Sequence, residues 1–189
     1  DAGSQTVTVS LKDSANYEWN DGTTTNKTFT FTIGKAKLTV KADNLNVNYG
    51  ADAPTYTYTI TGYKGTDTAS VITGVPTLTS TYTKNSAVGT YPITVNVSKM
   101  SATNYDFIGA NGTLTVGKVA GSFTFTDETV DYDGKAHSIV ATNVVGGTIQ
   151  YSLDNSTWTD DAPTKTNAGT YTIYARLVVD GNHTAIDNK

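Results

Sequence analysis

Two histidines, His137 and His183, and no cysteine make up the whole stock of ready acid-base and thiol chemistry in this chain of 189 residues. His137 stands beside Ser138 and four residues after Asp133, which on paper assembles a hydroxyl-nucleophile triad. In an extended strand, neighbouring side chains leave opposite faces, so His137 and Ser138 cannot converge on one substrate. The chain is therefore expected not to be an enzyme, with no catalytic residue and no cofactor. Asp131-Tyr132-Asp133-Gly134 and Asp43-Asn44-Leu45-Asn46 offer oxygen ligands for calcium. A calcium loop gathers about six or more oxygens, usually including a bidentate acid. These runs hold the Asp, Asn and Gly of ordinary turns, as does Asp160-Asp161 before Ala162-Pro163, and no metal site is expected.

Aromatic side chains give the remaining binding chemistry. Trp19, Trp158 and twelve tyrosines are present, and sugars stack on such rings. Tyr56 and Tyr58 share one face of an expected strand that Tyr82 could neighbour, so Trp19, Tyr56 and Tyr58 are the glycan-contact candidates. Small β modules also need large side chains inside, and Trp158 is expected in the core. Lys37, Lys41, Lys64 and Lys84 are the candidates for an isopeptide cross-link to an Asn or Asp, which would replace absent disulfides in resisting force.

The elements that must position these residues are strands. Apolar residues alternate with Thr, Ser and Asn, the pattern of two-faced strands. Threonine, β-branched and hydroxylated, is about a fifth of the chain and suits solvent-facing strand positions. Strands are predicted at 6–11, 28–33, 37–42, 55–61, 76–83, 90–97, 113–116, 122–126, 138–142, 148–153 and 170–177, separated by Asn, Asp, Gly and Ser clusters. One short helix over 67–72 is conceivable, with Asp67 as its cap and Gly74 as its stop.

The chain also repeats. Val88-Gly89-Thr90-Tyr91-Pro92-Ile93 is echoed by Ala168-Gly169-Thr170-Tyr171-Thr172-Ile173 and, degraded, by Ala2-Gly3-Ser4-Gln5-Thr6-Val7. Each copy is followed by Asn-Tyr or Asn-His: Asn16-Tyr17, Asn104-Tyr105, Asn182-His183. A period of roughly eighty residues is that of small domains and exceeds most solenoid units. Thr28 to Lys35 aligns with Thr113 to Lys118, a closing strand that runs through Gly-Lys into the next copy. Three segments follow: 1–35, the carboxy-terminal part of a module; 36–117, a complete module; and 118–189, a module without its last strand. The orphan ends are read either as arbitrary boundaries or as strands that pair between molecules.

Gly-Thr-Tyr opening a strand resembles the sixth strand of immunoglobulin-like sandwiches, where a tyrosine turns a corner and its hydroxyl bonds back to upstream backbone. Tyr91 and Tyr171 are the corner candidates. The expected fold class is all-β, tandem small immunoglobulin-like β-sandwiches arranged end to end. The alternative is a β-grasp-like module crossed by one short helix.

Val47-Asn48-Tyr49-Gly50, Gly62-Tyr63, Val88-Gly89-Thr90-Tyr91 and Gly112-Thr113-Leu114-Thr115-Val116 resemble the YGX type of the bacterial MBG repeat. Val130-Asp131-Tyr132-Asp133-Gly134, Tyr151-Ser152 and Ala168-Gly169-Thr170-Tyr171 resemble its YDG sister, as does the tail Asn16-Tyr17-Glu18-Trp19 with Asp21-Gly22-Thr23-Thr24. Gln5 and His183 depart from the pattern where neighbouring copies carry Tyr. The resemblance implies a large, repetitive, secreted or wall-attached bacterial surface protein of adhesin type, and it brings no catalytic residues. Two functions remain open: stalk repeats that project a head from the envelope, or a module binding mucin or other host glycans by avidity.

The formal net charge of −4 with only thirteen scattered Lys and Arg argues against nucleic-acid partners. No stretch has the apolar length of a membrane span. The absence of cysteine, unusual for small extracellular animal domains, fits an exported bacterial protein. The expected partners are therefore neighbouring repeats, with host glycans or mucin and strand pairing between molecules as the further candidates.

Overall fold

The computed structural model describes residues 1–186. Among them the regular elements are strands, apart from one 3-10 turn at Ala69–Val71. In chain order the strands are β1 (Gly3–Val9), β2 (Lys27–Ile33), β3 (Ala36–Ala42), β4 (Leu45–Asn48), β5 (Tyr58–Thr61), β6 (Thr77–Thr79), β7 (Gly89–Asn96) and β8 (Tyr105–Ala110). They continue with β9 (Gly112–Gly117), β10 (Val119–Ala120), β11 (Ser122–Thr124), β12 (Thr142–Val145), β13 (Gly147–Ser152), β14 (Tyr174–Val179) and β15 (His183–Thr184). The protein is thus all-β, with small sheets of the kind that sandwich modules use. The β-grasp alternative fails on its helix. Residues 67–72 make only the 3-10 turn, and Thr68 caps it by accepting the Ser70 N–H at 3.4 Å. Asp67, expected as the cap, accepts the Tyr105 hydroxyl at 2.6 Å instead.

Several expected strands shift. The 55–61 strand shortens to Tyr58–Thr61, which leaves Tyr56 outside it. The 138–142 strand gives way to Thr142–Val145, and 170–177 becomes regular only from Tyr174. Leu45–Asn48 and Tyr105–Ala110 are strands that alternation did not single out. Both are held by a parallel partner distant in sequence, and a long-range partner leaves no local signature.

The pairing is ordered by the repeat. β3 lies between β5, antiparallel, and β8, parallel, with Ala36 opposite Tyr105 and Lys41 opposite Ala110. β4 pairs β9 in parallel, with Leu45 opposite Leu114 and Val47 opposite Val116. The partner lies the same number of residues ahead in both pairings, so no slip intervenes. The last repeat reproduces the first of these contacts, with Val119 opposite His183 in parallel.

β1 and β2 form an antiparallel hairpin in which Gly3 faces Ile33 and Val9 faces Lys27. Alternation sends Ser4, Thr6, Thr8, Thr28, Thr30 and Thr32 to one face, and Gln5, Val7, Phe29, Phe31 and Ile33 to the other. The apolar members of the second face are exposed.

The chain folds as two compact units that interleave along the sequence. One is Asp1–Asp43, Tyr56–Ser80 and Ile93–Gly112, and the other is Asn44–Thr55, Thr81–Pro92 and Thr113–Lys189. Both take residues from the middle segment. In the first unit Leu38, Val40, Ala42, Ile93 and Tyr105 are buried. In the second, Phe123, Tyr151, Ala175 and Leu177 form a cluster flanked by Phe125, Ile149 and Ile173. Tyr151 sits inside because its hydroxyl has a partner there, accepting the Ala141 N–H at 2.9 Å.

Candidate functional site

The geometry that recurs in this chain is built on asparagine. Asn104 uses its backbone carbonyl to accept the Ala36 N–H at 2.9 Å, opening the β3–β8 pairing. Its side-chain carbonyl accepts the Ala2 N–H at 2.7 Å, and its amide nitrogen donates to Asp1 at 3.1 Å. Asn182 repeats both contacts. Its carbonyl accepts the Val119 N–H at 3.3 Å, and its side-chain oxygen accepts the Val88 N–H at 2.9 Å. Ala2 and Val88 each precede the glycine that opens a repeated strand, Gly3 or Gly89. In both places an asparagine thus ties the start of one strand to the residue before the glycine of an Xaa-Gly strand.

The residue after Asn104 and after Asn182 is a buried anchor held by an acid. The Tyr105 hydroxyl donates to Asp67 and accepts the Lys64 N–H at 2.9 Å, and the Asp67 carboxylate pushes that phenol above its ordinary pKa. His183, in the equivalent place, sets Nδ1 2.6 Å from Asp180, and its ring meets Tyr49 edge-on at 5.4 Å. The departure from Tyr to His therefore keeps the anchor and exchanges its acid. Asn16-Tyr17 is different: Asn16 bonds locally to Asp13, and Tyr17 is exposed. The sequence marks these dipeptides by spacing alone. Nothing in the motif says that the asparagine amide grips the preceding copy.

Both corner tyrosines bond back four residues. The Tyr91 hydroxyl donates to the Ala87 carbonyl at 2.8 Å, and Tyr171 donates to Asn167 at 3.0 Å. Tyr91 also meets buried Tyr82 edge-on at 5.7 Å, while the Lys165 ammonium lies 5.3 Å over the Tyr171 ring. Removing one such hydroxyl while keeping the ring deletes a hydrogen bond of about 1 kcal/mol. Tyr91→Phe and Tyr171→Phe are expected to lower stability by about that much in urea unfolding. A change below the resolution of the measurement would show that the corner bond adds nothing beyond packing.

The glycan-contact candidates sit in different local settings. Trp19 is half-buried in its own loop, where Nε1 donates to the Thr25 carbonyl and its backbone N–H bonds Thr23. Tyr56 is half-buried outside β5, and Tyr58 lies within it. Trp158, expected in the core, is instead only half-buried, with the Arg176 guanidinium 4.4 Å over its ring. The antiparallel β13–β14 pair sets Gln150 opposite Arg176, and the guanidinium reaches both the Gln150 side chain and the indole. The ring's place in the core is taken by Tyr151.

Acidic residues at the turns hold local partners. His137 Nε2 lies 2.8 Å from Asp133, and the Lys135 N–H, followed by His137, holds that carboxyl below its ordinary range. Asp154 accepts the N–H groups of Thr157 and Ser156 and the Ser152 hydroxyl, which keep it ionised far into acid. Asp21 is held at about 2 by Lys27 and then by Thr23. Its stabilising contribution is present above the ordinary value of 3.8 and is lost as pH falls through about 2. An NMR titration of the Asp21 carboxyl should find that low midpoint, and Lys27→Met should return it towards 3.8. Of the cross-link candidates, Lys37 pairs with Asp106 at 2.7 Å and Lys84 with Asp52 at 3.1 Å. All four side chains are about half exposed or more, which makes them solvated ion pairs of small energetic weight.

Among the described residues no three acidic or histidine side chains gather as metal ligands, and no helix is long and apolar enough to cross a membrane. Small sheets of short strands, with the same asparagine contact made at two places, define the class of this protein as an all-β protein. Residues 38–115 match the family model of the MBG domain, YGX type, so the chain carries an MBG-type repeat there. No curated protein and no solved structure matches the chain.

Proposed function

We propose that this chain is a run of non-catalytic spacer repeats from the stalk of a bacterial surface adhesin, exported and placed outside the cell. One observation carries the reading: Asn104 and Asn182 make the same pair of contacts, one to their own repeat and one to the copy before. A contact made by the repeat itself can be propagated along any number of copies, which is what a stalk requires and a single binding site does not. The MBG-type repeat at 38–115 supports the same reading, since the resemblance is to repetitive surface proteins. The flanking copies belong to the YDG sister type on this reading.

The test is a double variant, Asn104→Ala with Asn182→Ala, compared with the parent by small-angle scattering and by residual dipolar couplings of the repeats. The spacer reading expects folded repeats whose relative order is lost in the variant. Unchanged couplings would remove the asparagine contacts as its basis. The rival, a host-glycan or mucin binder, is read on a glycan array presenting the protein at high valency. Robust binding lost in Trp19→Ala or Tyr56→Ala would replace the spacer reading.

A further inference from the structure

Tension along this chain enters and leaves the middle segment at its two ends, next to Lys35 and next to Lys118. The strands at those ends pair with each other. β3, the first of the segment, lies parallel to β8 over six residue pairs, from Ala36 opposite Tyr105 to Lys41 opposite Ala110. β4, the second, lies parallel to β9, the last, over four pairs, from Leu45 opposite Leu114 to Asn48 opposite Gly117. Each ladder is complete within one of the two compact units. Parallel pairing decides how load arrives. A pull draws β3 and β4 back towards their amino ends and β8 and β9 on towards their carboxyl ends, so the strands of each ladder are forced to slide past one another. The hydrogen bonds of a ladder, evenly spaced along it, then bear the load together. Were the pairs antiparallel and joined at one end, the same pull would open them one bond at a time.

Sliding is opposed by more than the backbone. Because side chains alternate, a slip of one residue turns every interior side chain of the strand outward. Leu38, Val40 and Ala42 on β3 and Leu114 on β9 are buried completely, and Val116 almost so, and a slip would expose them to water at once. Side chains also brace the ladders from strand to strand. Lys37 Nζ lies 2.7 Å from Asp106, the residue opposite it. The Asn44 side-chain oxygen accepts the Thr113 N–H at 2.9 Å, and just beyond β4 the Tyr49 N–H donates to the Gly117 carbonyl at 2.8 Å. β9 starts hard against the turn it would have to pass. A Cβ on Gly112 would meet the Ala42 carbonyl oxygen at 2.6 Å and that of Asp43 at 2.7 Å.

We propose that residues 36–117 form a mechanical clamp, in which the parallel β3–β8 and β4–β9 ladders hold tension along the chain in shear. Its function is to bear load through non-covalent bonds, in a chain that has no cysteine for a disulfide. The source of the load rests on the stalk reading, but the clamp uses none of the Asn104 and Asn182 contacts that carry that reading. Repeats that keep their relative order and still yield easily to force would leave the stalk reading standing and end this one.

Single-molecule pulling of the full chain at constant force tests it, since a chain without cysteine lets two thiol handles be placed at chosen positions. Gly34→Cys with Lys118→Cys loads both ladders in shear. Gly34→Cys with Thr103→Cys grips β3 and β8 at the same end and peels them apart from Ala36 and Tyr105. All three positions are exposed, the space around Gly34 is open, and far-ultraviolet circular dichroism checks that each variant folds. At one force, the fold should survive about tenfold longer or more in shear than in peeling, the factor that two or more additional hydrogen bonds broken together add. Asn44→Ala, at an exposed position, should shorten the shear lifetime about fivefold through the loss of one loaded hydrogen bond, and leave the peeling lifetime as it was. Equal lifetimes in the two directions overturn the proposal. So does an Asn44→Ala change that shortens both lifetimes alike, or neither.

Discussion

Leu114→Ala is expected to lower the stability of the protein by about 3 kcal/mol, while Phe31→Ala, at the equivalent position of the amino-terminal hairpin, costs less than about 0.5 kcal/mol. The two residues share a place in the repeat and a strand of the same pattern. They differ in surroundings: Leu114 is 0% exposed and Phe31 is 53% exposed. Truncating a buried leucine loses the transfer free energy of its methyl groups and leaves a cavity that close-packed neighbours close only in part. Truncating an exposed phenylalanine removes surface that water already reaches. Urea unfolding at micromolar protein, low enough to disfavour association, checks the pair. Equal losses at both positions would mean that the hairpin face is covered in solution, and the loss at Phe31 should then grow with protein concentration.

Gly74→Ala should be as damaging by a different route. Gly74 has φ +83°, a conformation that costs a side-chain-bearing residue about 1–2 kcal/mol. A Cβ there would also lie 2.0 Å from the Lys99 carbonyl oxygen, a backbone atom that cannot swing aside. The neighbouring Thr73–Ser101 bridge, with two hydrogen bonds of 2.9 Å, holds the two segments together. Relieving the overlap adds about 1–3 kcal/mol, for a total of about 2–5 kcal/mol. Gly65→Ala is the control: φ is +58° but the space around it is open, so only the backbone cost of about 1 kcal/mol should appear. Similar unfolding midpoints for the two variants would show that the chain at Gly74 yields easily.

Strand type was legible along most of the chain because alternation is a local signal. Thr28, Phe29, Thr30, Phe31, Thr32 and Ile33 declare a two-faced strand whatever lies opposite. Strands such as Leu45–Asn48 and Tyr105–Ala110 were not legible, since each depends on a parallel partner far away in sequence. Trp158 was misplaced for a related reason. Ring size predicts burial on average, but the contact of Arg176 with the indole depends on the pairing of β13 with β14, which no local window shows. The asparagines stood out by their spacing, yet their task was invisible. An amide that grips the backbone N–H of Ala2 or Val88 has no signature beyond the amide itself.

By itself, then, the order of residues determined that this protein is all-β, and it displayed the recurring Gly-Thr-Tyr strands and Asn-Tyr or Asn-His dipeptides. Those are properties of short windows, set by side-chain period and backbone preference. Tertiary structure alone decided which alternating faces became interior. Phe31 and Leu114 carry the same local instruction, and only the strands packed around Leu114 remove it from water. Burial is a property of what lies opposite, and what lies opposite is fixed by contacts between residues distant in the chain.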